Sequence, residues 1–86
     1  MTYKEFKQKL TDNLTELFPA GTHISIRQFS HNNHILLDGL TILEPGSNIS
    51  PTIYLNSYFS KYLDGASFPA LQNQILSYYY EHCSLR

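Results

Sequence analysis

Apolar residues recur at three- and four-residue spacing over the first eighteen positions: Tyr3, Phe6, Leu10, Leu14, Leu17 and Phe18. That spacing puts them in one stripe on an α-helix, with Lys4, Lys7, Lys9, Asp12 and Glu16 on the other faces. Thr2 with Glu5 three residues later predicts a capping box at the helix start. Pro19 and Gly21 end the helix. The period then drops to two. In "HISIRQF", His23 to Phe29, Ile24 and Ile26 share one face while Ser25 and Arg27 take the other. "SHNNH" reads as a polar turn, and Asn32-Asn33 makes a sterically cheap hairpin because Asn tolerates positive φ. "ILLDGLTIL", Ile35 to Leu43, is the return strand, where Gly39 predicts a bulge or a close backbone approach. After the turn "EPGSN", the run "ISPTIYL" (Ile49 to Leu55) predicts a third strand. Pro51 confines that part of it to a sheet edge or a strand start.

Ser57 is placed to cap a short helix, "YFSKYLDG", closed by Gly65, with Phe59 and Leu63 toward the core. Ser67 caps a last helix whose first turn holds Pro69, where a missing amide costs nothing. Phe68, Leu71, Ile75, Leu76 and Tyr79 line its buried side. The order α-β-β-β-α-α predicts an α+β fold: a small three-stranded antiparallel sheet with helices packed on one face. At 86 residues the chain reads as a single domain, residues 1–86, with one modest core.

Composition supports a folded chain, since 42% of residues are hydrophobic and only 15% charged. The formal net charge of −1 supplies no global field toward phosphate backbones or anionic lipid. A lone cysteine, Cys83, rules out an intrachain disulfide and fits a reducing compartment. "MTYKEFKQKL" lacks the apolar run of a signal peptide, and no stretch approaches the roughly 18 apolar residues of a membrane helix. These features place the expectation in the cytoplasm.

"LDGLTI" (Leu37 to Ile42) followed by "NISPTIYLNSYFSKY" (Asn48 to Tyr62) resembles an uncharacterised domain family of anaerobic, gut-type Gram-positive bacteria. Its members carry a similar Leu-Asp-Gly-Leu-Thr-Ile run and then Asn-Ile-Ser-Pro-Thr-Ile-Tyr-Leu-Asn ahead of a Tyr-rich helix. The resemblance spans nearly the whole chain. It implies kinship and a bacterial or mobile-element origin, and no activity.

Candidate chemistry is sparse. His31, His34, His82 and Cys83 lack the spacing of a zinc site, so no metal and no cofactor is expected. His82 and Cys83 are neighbours that point about 100° apart on a helix, and no glycine-rich phosphate loop is present, so the expectation is a non-enzyme. The αβββα order resembles double-stranded RNA-binding domains, which makes Lys4, Lys7, Lys9 and Arg27 an alternative nucleic-acid site. Glu5, Asp12 and Glu16 offset those lysines on the same helix, and a solvated helix face accounts for them. The tyrosines are more informative. Tyr54, Tyr58 and Tyr62 are spaced by four, and Tyr78, Tyr79 and Tyr80 are consecutive. Three successive helical positions sweep about 200°, so at least one of the triplet has to be exposed. Tyrosine is enriched at binding hot spots, which makes Tyr54, Tyr58, Tyr62, Tyr78 and Tyr80 the candidate partner-binding residues. The function expected is a small non-enzymatic protein–protein interaction module. Its partners would be a second copy or a larger bacterial protein that it inhibits or adapts, a defence nuclease targeted by a mobile element among them.

Overall fold

The computed structural model describes residues 1–31 and 35–83. The first helix starts at the capping box: Thr2 Oγ1 accepts from the Glu5 amide at 3.1 Å, and the Glu5 carboxylate accepts from the Thr2 amide at 2.8 Å. The Thr2 amide foremost, and then the Thr2 hydroxyl, hold the Glu5 carboxyl below its ordinary pKa. Helix α1 runs Tyr3–Leu17 and buries Phe6, Leu10 and Leu14. Leu17, expected in the stripe, is 56% exposed. The chain leaves the helix at this point, because Phe18 takes an extended C-cap conformation. Its ring then closes this end of the core against Tyr79 and Tyr80, where Leu17 would have reached.

Strands β1 (His23–His31), β2 (Ile35–Leu43) and β3 (Ile53–Tyr54) form one antiparallel sheet in the order β1-β2-β3. The β1–β2 register runs unbroken from His23↔Leu43 to His31↔Ile35, so Gly39 marks no bulge. It marks a close approach: a Cβ there would sit 2.7 Å from both Phe29 Cε2 and Thr52 Cγ2. The Asn32-Asn33 turn lies outside the described residues.

The third strand is two residues long, and the seven expected from Ile49 to Leu55 are not formed. Pro51 has no N–H to give a ladder, and side chains replace it on both sides. Ser50 Oγ accepts from the Ile42 amide at 2.9 Å, and Asn56 Oδ1 accepts from the Asp38 amide at 2.8 Å. Leu55 instead opens helix α2 (Leu55–Leu63). Ser57 does not cap it; its hydroxyl donates to the Tyr54 carbonyl at 3.4 Å, and the N-cap is Tyr54 without a side-chain bond. Packing against the core puts the buried face on Leu55 and Tyr62, seven residues apart. Leu63 then stands about 80° round the helix from Leu55, which is why it is 67% exposed although expected in the core.

Gly65, at φ +109°, turns the chain out of α2. Helix α3 (Phe68–Cys83) begins with Ser67 Oγ accepting from the Ala70 amide, and it buries Phe68, Leu71, Ile75, Tyr79 and Cys83. The three helices cover one sheet face, where Leu40, Ile42 and Ile53 are buried and Ile24 and Ile26 pack at the margin. By strand alternation, Ser25, Arg27, Phe29, Thr41 and Leu43 fall on the opposite face. No described helix covers them. Among the described residues no helix is long and apolar enough to cross a membrane.

Candidate functional site

Tyr79 sets the geometry of the aromatic surface. It is 1% exposed, and its hydroxyl donates to Glu44 Oε2 at 2.7 Å across the core from the turn after β2. Burial first, and then the Glu44 carboxylate, push its pKa far up. With Tyr79 pointing in, Tyr78 and Tyr80 on either side must point out, and both are exposed.

Tyr78 faces the end of β3. There Thr52, Ile53, Tyr54, Ser57, Tyr58 and Tyr78 line a groove of about 180 Å³. Tyr54 forms one wall because alternation turns it away from buried Ile53, and its ring meets Phe29 edge-on at 6.2 Å. Tyr58 is the half-buried floor; burial and then the neighbouring Tyr78 hydroxyl raise its pKa. Lys61 Nζ lies 5.2 Å over the Tyr58 ring, and His82 stacks on Tyr78 with centroids 3.9 Å apart. The groove thus offers three phenol rings, their hydroxyls and a cation at the rim. Phe29, which Tyr54 meets, belongs to the helix-free sheet face, where Ser25, Arg27, Phe29, Thr41, Leu43, Asn48 and Ser50 line a second depression of about 290 Å³.

The other two candidate tyrosines lie elsewhere. Tyr62 packs on Phe6 and Phe59 and accepts from the Met1 ammonium at 3.2 Å. Tyr80 stacks on Phe18 at 6.1 Å. Tyr58 and Tyr62, both expected as partner-binding residues, are half-buried against the core.

The cations divide among three places. Lys7 Nζ is 3.5 Å from Asp38 Oδ2 and 4.4 Å over the Tyr3 ring. Lys4 lines a groove of about 320 Å³ with Lys7, Gln8, Thr11, Ile26, Gln28 and Asp38. Lys9 lies over the Phe68 ring at 4.9 Å, and Arg27 is on the helix-free sheet face. Asp38 was not singled out as a site residue in the sequence, yet it is a buried carboxylate. Its signal was legible: it shares the inward parity of Leu40 and Ile42. Beside it the Tyr3 hydroxyl is buried without a hydrogen-bond partner, and burial followed by Asp38 drives its pKa up.

Cys83 and His82 do not face each other. Cys83 is in the core, its Sγ 3.9 Å from the Ile49 carbonyl, while His82 is exposed on Tyr78. Among the described residues no three His, Cys, Asp or Glu side chains cluster as metal ligands. His34 and the side chain of His31 lie outside what is described.

The sequence model of DUF5688, a family of unknown function, matches residues 3–86. No curated protein and no solved structure matches.

Proposed function

The chain belongs to DUF5688, a family of unknown function, so its reading starts from its own surfaces, and we propose that it is a small non-enzymatic protein-interaction module. The observation that carries this is the groove of Tyr54, Tyr58 and Tyr78, whose Tyr54 wall meets Phe29 on a sheet face that no described helix covers. Rings that bury large area at small entropy cost, with hydroxyls left for a partner, are the chemistry of an interface hot spot. The proposal extends to the setting: a bacterial cytoplasm and a larger bacterial protein that this domain inhibits or adapts, including a defence nuclease opposed by a mobile element. The motif resemblance and the small size support that extension.

Binding of nucleic acid through Lys4, Lys7, Lys9 and Arg27 has less support. Those four cations are divided among three surfaces, and Lys7, which shares its groove with Lys4, already pairs with Asp38.

The test is affinity capture from lysate, with and without nuclease, using wild type and a Tyr54→Ser/Tyr78→Ser variant. Both tyrosines are exposed, so the variant keeps the core. The expected result is a nuclease-resistant partner lost from the variant. Nuclease-sensitive capture that weakens steeply with salt would move the assignment to nucleic acid. Equal capture by both chains would remove the aromatic groove from the reading.

A further inference from the structure

The two edges of the sheet are built differently. The β3 edge is two residues long, follows a proline, and is flanked by the Ser50 and Asn56 side chains that occupy the neighbouring β2 amides. The β1 edge is nine residues long, pairs with β2 in unbroken register, and contains no proline and no lysine. Long flat edges are normally shortened, bulged, or guarded by proline or lysine, because a row of unpaired amides templates another strand. Here one edge is closed and the other is left open.

The direction of the open edge follows from β2. The amides of Asp38 and Ile42 point to the β3 side, where Asn56 and Ser50 accept them. Main-chain groups alternate along a strand, so the residues between them, Gly39 and Thr41, turn toward β1. Asp38, Leu40 and Ile42 stand opposite Gln28, Ile26 and Ile24, and Leu36 opposite Ser30. These are then the pairs without mutual hydrogen bonds, and Ile24, Ile26, Gln28 and Ser30 direct their N–H and C=O away from β2. No described strand receives them.

Above this row, α1 leaves the groove of about 320 Å³. Ile26 and Gln28, two of the outward-pairing residues, form its sheet side, and Lys4, Lys7, Gln8 and Thr11 its helix side. Lys7 is held by Asp38, whereas Lys4 is exposed and has no ion-pair partner among the described residues. The groove therefore offers one uncompensated cation beside a strand edge.

We propose that the β1 edge is a strand-addition site for an extended acidic segment of a partner protein. Its backbone pairs with Ile24, Ile26, Gln28 and Ser30, and alternate side chains enter the α1 groove, where a carboxylate meets Lys4. A second copy of this chain is the poorer occupant. Its own β1, "HISIRQFSH", contains no acid to offer Lys4. This surface lies at the opposite sheet edge from the tyrosine groove, and neither depends on the other.

The test is selection of a displayed library of random nine-residue peptides on the immobilised full chain, followed by amide hydrogen exchange with the enriched peptides. The expected sequences are acidic, and their binding slows exchange at Ile24, Ile26, Gln28 and Ser30. Lys4→Glu, a change at an exposed position, weakens binding about two- to fivefold, the scale of one partly exposed ion pair. Methylating alternate peptide amides along the pairing edge abolishes it. The proposal is overturned if nothing is enriched above the matrix, if enriched peptides carry no acidic bias, if protection falls elsewhere, or if methylated peptides still bind. Protection of β1 that rises with protein concentration alone, with a dimer in sedimentation, makes a second copy the occupant and also overturns it.

Discussion

Replacing Tyr79 by Phe removes one oxygen from the centre of the molecule and little else. The ring is 1% exposed and packs edge-on to Phe18 at 5.4 Å, contacts that Phe retains. What is lost is the 2.7 Å bond to Glu44 Oε2 and the hydroxyl's weaker interaction with the Cys83 thiol. A hydrogen bond to a charged group contributes about 1.5–3 kcal/mol. Glu44 is only half-buried, so water can replace the phenol, which favours the lower end, about 1.5 kcal/mol. In a domain of this size that lowers Tm by roughly 6–12 °C. Urea unfolding followed by circular dichroism should show a lower midpoint at unchanged slope. The pH dependence has a definite sign. Burial and Glu44 raise the folded pKa of Tyr79, so its contribution is complete below the ordinary tyrosine value near 10 and is lost as pH rises beyond it. Wild type and variant should converge in stability under alkaline conditions. A double-mutant cycle with Glu44→Ala should give a coupling of about 1 kcal/mol. The reasoning is refuted if Tyr79→Phe stays within about 0.3 kcal/mol of wild type, or if the cycle is additive to that margin.

Three further outcomes are expected. Asn56→Ala leaves the Asp38 amide without its acceptor and should cost about 1–2 kcal/mol, with faster hydrogen exchange at Asp38 itself. Gly39→Val drives methyl groups into Phe29 and Thr52 and should cost about 1–3 kcal/mol, part of which Phe29→Ala in the same chain restores; both are read by chemical denaturation. Lys7→Met strands the buried Asp38 carboxylate; because the groove is open to water the cost should be about 2 kcal/mol rather than that of a sealed pair, and Asp38→Asn should relieve it in the double variant.

Where a local rule acts alone, the sequence was legible. Thr2 and Glu5 form the predicted box, Ser67 caps α3, and the alternation of β1 and β2 assigns their faces correctly. Misreadings arise where tertiary contacts decide. Ser50 lies inside the run read as strand and Asn56 just beyond it, and only the fold reveals which β2 amides they serve. With β3 short, α2 starts at Leu55 and packs with that residue buried, so Tyr62 rather than Leu63 turns toward the core. For the candidate site, consecutive helical geometry required an exposed residue in the Tyr78–Tyr80 triplet, and the structure supplies two. No spacing rule could bring Tyr78 to Tyr54 and Tyr58, because that meeting depends on how α3 lies beside β3. The lysine cluster survives only in part: Lys4 and Lys7 share the groove that Asp38 also lines, while Lys9 is drawn over the Phe68 ring.

The side chains at Ser50 and Asn56 have a further consequence, for chain length. They stand six residues apart and reach two β2 amides, Ile42 and Asp38, that are four residues apart. On an extended strand those amides are separated by about 13 Å. The segment between the two caps is therefore a fixed measure. Inserting or deleting one residue there would pull one cap off its amide and shift Leu55 out of the core. The tip of the turn at Gly46 has room beside it, since a side chain added there would meet nothing within 4 Å, although its φ of +81° favours glycine. Related chains should vary in length at that turn and keep the count from Ser50 to Asn56 unchanged.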